Sequence, residues 1–150
     1  AMDILNQVSG NHWEINIIAS DISLKSLMKA KKGYYPKERM TNFPKGFINN
    51  FLNEEKDGFN IKEEVKKLIR FDYHNLKHDN GERNYDVIFC RNVIIYFDKA
   101  EQERLITHFY QSLTNPGYLF LGHSESLFGM NTKFKPEKIG DIYVYTKKEG

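Results

Sequence analysis

Residues 85–98 constrain the fold of this chain more than any other stretch. The run from residue 87 to residue 90 and just beyond it contains no Gly or Pro, and its β-branched and aromatic side chains are typical of a strand covered on both faces in a parallel sheet. Polar side chains follow at once, among them Arg91, Asn92 and Tyr96. Because ligands of open α/β sheets bind beyond the carboxyl ends of the strands, these three residues are candidates for a functional site.

Composition limits the remaining possibilities. A length of 150 residues with 40% hydrophobic side chains suits one domain that folds as a single unit. The net charge of +2 is spread along the chain and gives no support to a nucleic-acid partner. The lone cysteine excludes an internal disulfide, and no stretch approaches the roughly 20 apolar residues that span a bilayer. We therefore expect a cytoplasmic protein without a metal site or direct membrane insertion.

Segments with strand-like and helix-like patterns alternate along the chain, which favours an α/β fold with an open, mainly parallel sheet. Ser23 and Asp98 stand where each can cap a helix, and Gly33 stands where the first of those helices ends. We predict strands at 13–20, 67–73, 87–90, 118–122 and 141–146, and helices at 2–8, 24–33, 47–53 and 99–113, the last ended by residues 115–117. The segment before the final strand is too short for a crossover helix, so that strand is predicted to be antiparallel, at the sheet edge.

Asp21 follows the first predicted strand and has two interpretations. A carboxylate just before a helix is favoured by the helix dipole. In dinucleotide-type folds an acid in this position accepts hydrogen bonds from a ribose. The local pattern leaves both open.

A long part of the chain resembles a known family. Residues 86–98, DVIFCRNVIIYFD, closely resemble the signature of the chemotaxis-receptor protein-glutamate methyltransferases, the CheR family. The resemblance continues through residues 19–23, 33–35, 75–76, 116–127 and 142–143. It implies that residues 2–150 form part of a Rossmann-like catalytic domain, with a small β-subdomain inserted at about residues 34–71. It also implies S-adenosylmethionine as cofactor, S-adenosylhomocysteine as product and methyl-accepting chemotaxis receptors as partners.

Cofactor-binding roles carry over from the family only at matched positions. By this resemblance Asp21 is the ribose-binding acid. Asn75 and Leu76 resemble the adenine-side loop, and Arg91 and Asn92 resemble the cofactor-facing turn.

The implied reaction is attack of a glutamate carboxylate on a sulfonium methyl group. No general base is needed, because glutamate has a reference pKa of about 4.3 and is already ionised at neutral pH. Opposite charges cancel in the transition state, so positioning in a dry site matters most. Tyr96 is similar to the family's tyrosine beside the transferred methyl, and Arg91 can hold the substrate carboxylate or fix the turn. These two residues are the catalytic candidates.

The first strand of the family's sheet and its glycine-rich cofactor loop have no counterpart in this sequence. We therefore expect a sheet truncated at its N-terminal strand. A strand at residues 15–20 would then be an open edge, which predicts a homodimer or strand exchange. A non-catalytic module that binds a receptor or another protein is the alternative function, and a methyltransferase for a small molecule or RNA is a third.

Two features of the sequence could suggest nucleophilic catalysis, a lone cysteine and an adjacent His-Ser pair, and neither supports it. Cys90 is predicted to be a small buried core residue, because methyl transfer needs no thiol. His123 and Ser124 are adjacent in sequence and so cannot face each other as in a hydrolase triad.

Overall fold

The computed structural model describes residues 13–148, so the helix predicted at 2–8 lies outside the described residues. The chain divides into two compact units, with the boundary between Asn75 and Leu76. The first unit contains β1 Ile17–Asp21, α1 Leu24–Lys32, β2 Tyr34–Pro36, α2 Lys45–Phe51, β3 Leu52–Glu54, β4 Gly58–Ile61, α3 Glu63–Lys66 and β5 Ile69–Tyr73. The second contains β6 Tyr85–Cys90, a 3-10 turn Ile94–Tyr96, α4 Lys99–Ser112, β7 Leu113–Leu121, β8 Lys135–Ile139 and β9 Ile142–Lys147.

Strands β1 and β5 of the first unit pair in parallel, with Ile17 opposite Ile69 and Asp21 opposite Tyr73. The strand predicted to start at residue 13 begins only at Ile17, where the pairing with β5 begins. Trp13 precedes it and is 51% exposed. Apolar character alone therefore overestimated the length of this strand.

Both predicted ends of helix α1 are confirmed. Ser23 Oγ accepts a hydrogen bond from the Ser26 N–H at 3.2 Å. Gly33 lies in the left-handed region, with φ 68°, and its N–H donates to the Lys29 carbonyl.

A three-stranded antiparallel sheet, in the order β2-β4-β3, follows α1 and lies within the region predicted as an insertion. The short helix expected at 47–53 occupies Lys45–Phe51, because the chain becomes extended at Leu52 to form β3. The strand expected from about residue 67 begins at Ile69, after the short helix α3.

The second unit contains a four-stranded sheet in the order β6-β7-β9-β8. β6 and β7 are parallel, with Val87 opposite Tyr118. The final strand β9 is antiparallel to β7, as predicted, with Tyr145 opposite Leu119. Its predicted edge position is wrong, because β8 pairs with its other side. Two of the strand pairings among residues 13–148 are parallel and four are antiparallel, so the sheets are mixed rather than mainly parallel.

Helix α4 supplies much of the hydrophobic core of the second unit. Its predicted cap is confirmed, since Asp98 Oδ1 accepts a hydrogen bond from the Glu101 N–H at 2.8 Å. Ala100 of the predicted apolar stripe is exposed, whereas the rest of the stripe is buried. The core comprises Cys90, Ile94, Leu105, Ile106, Phe109, Leu113, Leu119, Leu127, Phe134 and Tyr145. No helix within residues 13–148 is long and apolar enough to cross a membrane.

Two further predictions for the second unit need correction. Residues 115–117 do not separate a helix from a strand, because β7 starts at Leu113, directly after α4, and runs through them. Strand β6 is not covered on both faces: Val87 is 40% exposed and Phe89 is 71% exposed. Only the opposite face of β6, which carries Ile88 and Cys90, packs against the core of the second unit.

Candidate active site

The turn that follows β6 brings three of the predicted site residues together. Arg91 and Asn92 are exposed, and the 3-10 turn that comes next ends at Tyr96. Asn92 has φ 58°, in the left-handed region that asparagine tolerates better than most residues. Tyr96 is 81% exposed, so its phenol faces solvent. We call residues 91–97 the β6 turn.

The carboxylate of Glu125 holds the β6 turn from the loop after β7. Its Oε1 accepts hydrogen bonds from the backbone N–H groups of Val93 and Ile94, each at 2.8 Å. Its Oε2 accepts from the N–H groups of Asn92 and Gly122, also at 2.8 Å. One side chain therefore satisfies three consecutive N–H groups of the turn and joins them to the end of β7.

These contacts also determine the ionisation of Glu125. Its partial burial raises the pKa of the carboxyl group, but the four backbone N–H donors lower it by more. The net result is a pKa below the ordinary value for glutamate. Glu125 is therefore a carboxylate at neutral pH.

Gln102 holds the opposite side of the β6 turn from helix α4. Its Nε2 donates to the carbonyl oxygens of Ile94 at 3.1 Å and Phe97 at 2.9 Å. Within the turn the Tyr96 N–H donates to the Val93 carbonyl at 3.1 Å. The backbone around Tyr96 is thus fixed from two sides while its ring remains exposed.

Gly122 allows the close approach of the two loops. A Cβ atom at this position would lie 2.6 Å from Asn92 Oδ1 and 2.6 Å from Glu125 Oε2. Any larger residue at position 122 would collide with both Asn92 and Glu125.

Asp21 and Asn75 belong to the first unit and lie near the carboxyl ends of β1 and β5. Asp21 Oδ1 accepts a hydrogen bond from the Ser23 N–H at 2.7 Å, which agrees with the helix-start interpretation. The Asp21 carbonyl accepts from the His74 N–H at 3.2 Å, next to half-buried Asn75. The helix-start contact uses one carboxylate oxygen, and the ribose interpretation stays a prediction.

Leu76 opens the second unit and packs partly buried against its core. It lines a cleft of about 260 Å³ together with residues that include Phe97 and Arg104. Lys77, beside it, pairs with Glu101 at 2.6 Å. The role of Leu76 on the adenine side of the cofactor stays a prediction.

Cys90 is buried, as predicted, with 5% of its surface exposed. Burial raises its pKa to about 12, and the negative charge of Glu125 adds to the effect. We therefore expect thiol reagents at neutral pH to label Cys90 at least about 10²-fold more slowly in the native chain than in denaturant, since the thiolate is the reactive form. Mass spectrometry of timed iodoacetamide reactions measures both rates. Equal rates would contradict the burial of this thiol.

Glu125, Gln102 and Gly122 received no individual role from the sequence. The sequence held a signal for Glu125. It follows the end of the strand that became β7, and the predicted turn follows the parallel strand β6, so the two loops lie at the same edge of the sheet. Gln102 carries no such signal beyond its place in the first turns of α4. Among residues 13–148 there is no group of three or more His, Cys, Asp or Glu side chains that could hold a metal ion.

A family model and individual relatives of this chain point to the same protein family. The family described as CheR methyltransferase, SAM binding domain, matches residues 1–142. A chemotaxis protein methyltransferase of Borreliella burgdorferi is 38% identical over 79% of this chain and 43% of its own length. Chemotaxis protein methyltransferase 2 of Vibrio cholerae is 35% identical over 91% of this chain and 51% of its own.

The corresponding protein of Pseudomonas aeruginosa, also called chemotaxis protein methyltransferase 2, is 38% identical over 75% of this chain and 42% of its own length. The chain therefore spans about half the length of the curated relatives it matches. Since the family match covers nearly all of its residues, the chain belongs to the CheR methyltransferase family, in its S-adenosylmethionine-binding domain.

Proposed function

We propose that this chain takes part in S-adenosylmethionine-dependent methylation of glutamate side chains on chemotaxis receptors. The observation that carries the proposal is the β6 turn, in which Tyr96 is 81% exposed on a backbone fixed by Glu125 and Gln102. A rigid turn that presents a phenol and a guanidinium suits a reaction that depends on positioning. Family membership supports the same chemistry.

The residues present fit the proposed cofactor in their chemistry. A carboxylate offers about four acceptor sites, and the Ser23 N–H takes one at Asp21, so capacity remains for ribose hydroxyl groups. Asn75 and Leu76 are proposed on the adenine side, and Arg91 and Asn92 as the cofactor-facing turn. When bound, S-adenosylmethionine supplies an electrophilic methyl group on a sulfonium centre.

Tyr96 and Arg91 are proposed to act on the incoming glutamate. The Tyr96 phenol orients one carboxylate oxygen without the full ion pair that would stabilise the ground state. Arg91 either holds the carboxylate loosely or fixes the turn. Neither residue needs to transfer a proton, because the glutamate is already ionised.

The remaining proposals concern the partners and the rest of the fold. The β2-β4-β3 sheet is proposed as an inserted subdomain that contacts a receptor's tail, within about residues 34–71. Homodimer formation or strand exchange through β1 is also proposed, because among the strands of residues 13–148 β1 pairs only with β5.

Isothermal titration of this chain with S-adenosylhomocysteine tests the proposed function. We expect saturable binding that Asp21→Ala weakens about 10- to 100-fold, the effect of losing hydrogen bonds to a charged group. The matched variant Asp141→Ala changes another exposed carboxylate and is expected to leave the dissociation constant unchanged. An absence of heat at millimolar ligand would reject cofactor binding by this chain and favour a protein-binding module.

A further inference from the structure

We propose that Glu125 and Gln102 are positioning residues for methyl transfer, which hold Arg91 and Tyr96 in the reactive arrangement without contacting substrate. This inference rests on the proposed function and assigns it two further residues. It starts from the unusual concentration of hydrogen bonds on the backbone of the β6 turn.

Three consecutive N–H groups of the turn, at residues 92–94, converge on the Glu125 carboxylate. Consecutive backbone N–H groups beside a left-handed residue form a concavity that attracts anions. In this chain the concavity is filled by a side chain of the protein itself. Glu125 therefore determines the shape of the turn rather than leaving it open to a ligand.

Gln102 complements this arrangement on the carbonyl side. Glu125 accepts from N–H groups at the start of the turn, and Gln102 donates to the Ile94 and Phe97 carbonyls at its end. Tyr96 lies between the two anchored carbonyls. The two side chains come from separate elements, the loop after β7 and helix α4, so a shift of either element would move the phenol.

A neutral side chain cannot replace Glu125. The carboxylate uses both oxygens as acceptors, two N–H groups on each. Glutamine has one acceptor oxygen, and its NH₂ group would face N–H donors. Charge-assisted hydrogen bonds are also roughly twice as strong as neutral ones. We therefore expect Glu125→Gln to lose at least half of the hydrogen bonds to the turn.

Protonation gives a signature for these contacts. Because the folded-state pKa of Glu125 lies below the unfolded value, the contacts are complete above that unfolded value, about 4.3 for glutamate, and are lost as the pH falls through the folded pKa. The thiol of Cys90, whose pKa is raised to about 12 by burial and by the charge of Glu125, stays protonated over this range.

The first experiment measures ¹⁵N amide spectra and hydrogen exchange of this chain. We expect the amide shifts of Asn92, Val93, Ile94 and Gly122 to titrate together at acidic pH, with a midpoint below that of an ordinary glutamate. In Glu125→Gln this common titration should vanish and the exchange of residues 92–94 should accelerate at least about 10-fold. Glu64→Gln, which removes an exposed carboxylate, is the control and should change neither.

The second experiment measures methyl transfer and S-adenosylhomocysteine affinity for the same variants. We expect Gln102→Met, which acts at the Tyr96 end of the turn, to lower kcat about 10²-fold, since a displacement of about 1 Å costs that much, while KM for S-adenosylmethionine changes less than 3-fold. Glu125→Gln should lower kcat by a similar factor and also raise this KM, because its contacts include the cofactor-facing Asn92. Glu125→Asp should recover part of the rate. Gln111→Met, an exposed glutamine on the same helix, should retain the rate of the unmodified chain.

The outcomes separate this inference from the proposed function. Unchanged exchange at residues 92–94 in Glu125→Gln overturns the inference whatever the chain catalyses. Faster exchange with unchanged kcat overturns the positioning role and leaves the proposed function intact. If the unmodified chain neither transfers methyl groups nor binds the cofactor, the proposed function is rejected for this chain. The positioning role is then rejected as well. If Glu125→Gln does not fold, Glu125→Asp and Gln102→Met test the positioning role instead, by amide exchange of the turn and by kcat.

Discussion

Alanine in place of Gly122 is expected to lower the free energy of unfolding by about 3 kcal/mol. The new Cβ would lie 2.6 Å from Glu125 Oε2 and 2.9 Å from the backbone nitrogen of Asn92, so the β6 turn and the loop after β7 must separate. Overpacking of this kind costs about 1–3 kcal/mol, and a weakened hydrogen bond to a charged group about 1.5–3 kcal/mol. Urea unfolding followed by circular dichroism measures the loss.

Gly46 provides the matched control for this substitution. It lies in helix α2, and a Cβ there would meet nothing within 4 Å. Gly46→Ala should therefore stabilise the chain by up to about 1 kcal/mol, through helix propensity. Equal effects of the two variants would contradict the steric account of Gly122.

Leu119→Ala is expected to cost about 2–5 kcal/mol of stability, the usual range for removing a buried leucine side chain. Leu119 is fully buried, at 0% exposure, in β7, one of the two inner strands of its sheet. Strand pairing holds Ile88 of β6 on one side of Leu119 and Tyr145 of β9 on the other. The cavity left by the leucine side chain therefore cannot collapse easily. Equilibrium urea unfolding gives the value.

Leu24 offers the control for the same change of side chain. It is 62% exposed at the start of α1, so Leu24→Ala should alter the free energy of unfolding by less than about 0.5 kcal/mol. A loss below about 1 kcal/mol for Leu119→Ala would show that the core of the second unit is not packed around this residue.

Local signals predicted local structure correctly. The caps at Ser23 and Asp98 and the left-handed Gly33 depend on contacts within a few residues, which the sequence displays directly. A strand at residues 87–90, which the structure extends to Tyr85–Cys90, and an antiparallel last strand were also predicted, from apolar runs and the length of the connection.

Features that depend on distant residues were missed or wrong. Strand β8, with the sequence KPEKI, has almost no β propensity and forms because β9 offers a pairing edge. The exposure of Phe89 depends on what covers the sheet, which an apolar run cannot reveal. At the candidate site, the turn at 91–96 was located from the sequence, but Glu125 was given no part in it. Its contact with Asn92 joins residues 33 positions apart.

The contacts that fix the β6 turn come from Gln102, Gly122 and Glu125, all within the second unit. The geometry around Tyr96 is therefore encoded in about half of the chain, separately from the segment that contains Asp21. Substitutions in residues 13–75 remove none of these contacts. On the proposed function, natural variation in the β2-β4-β3 sheet would therefore change receptor recognition without removing any contact that holds the backbone around Tyr96.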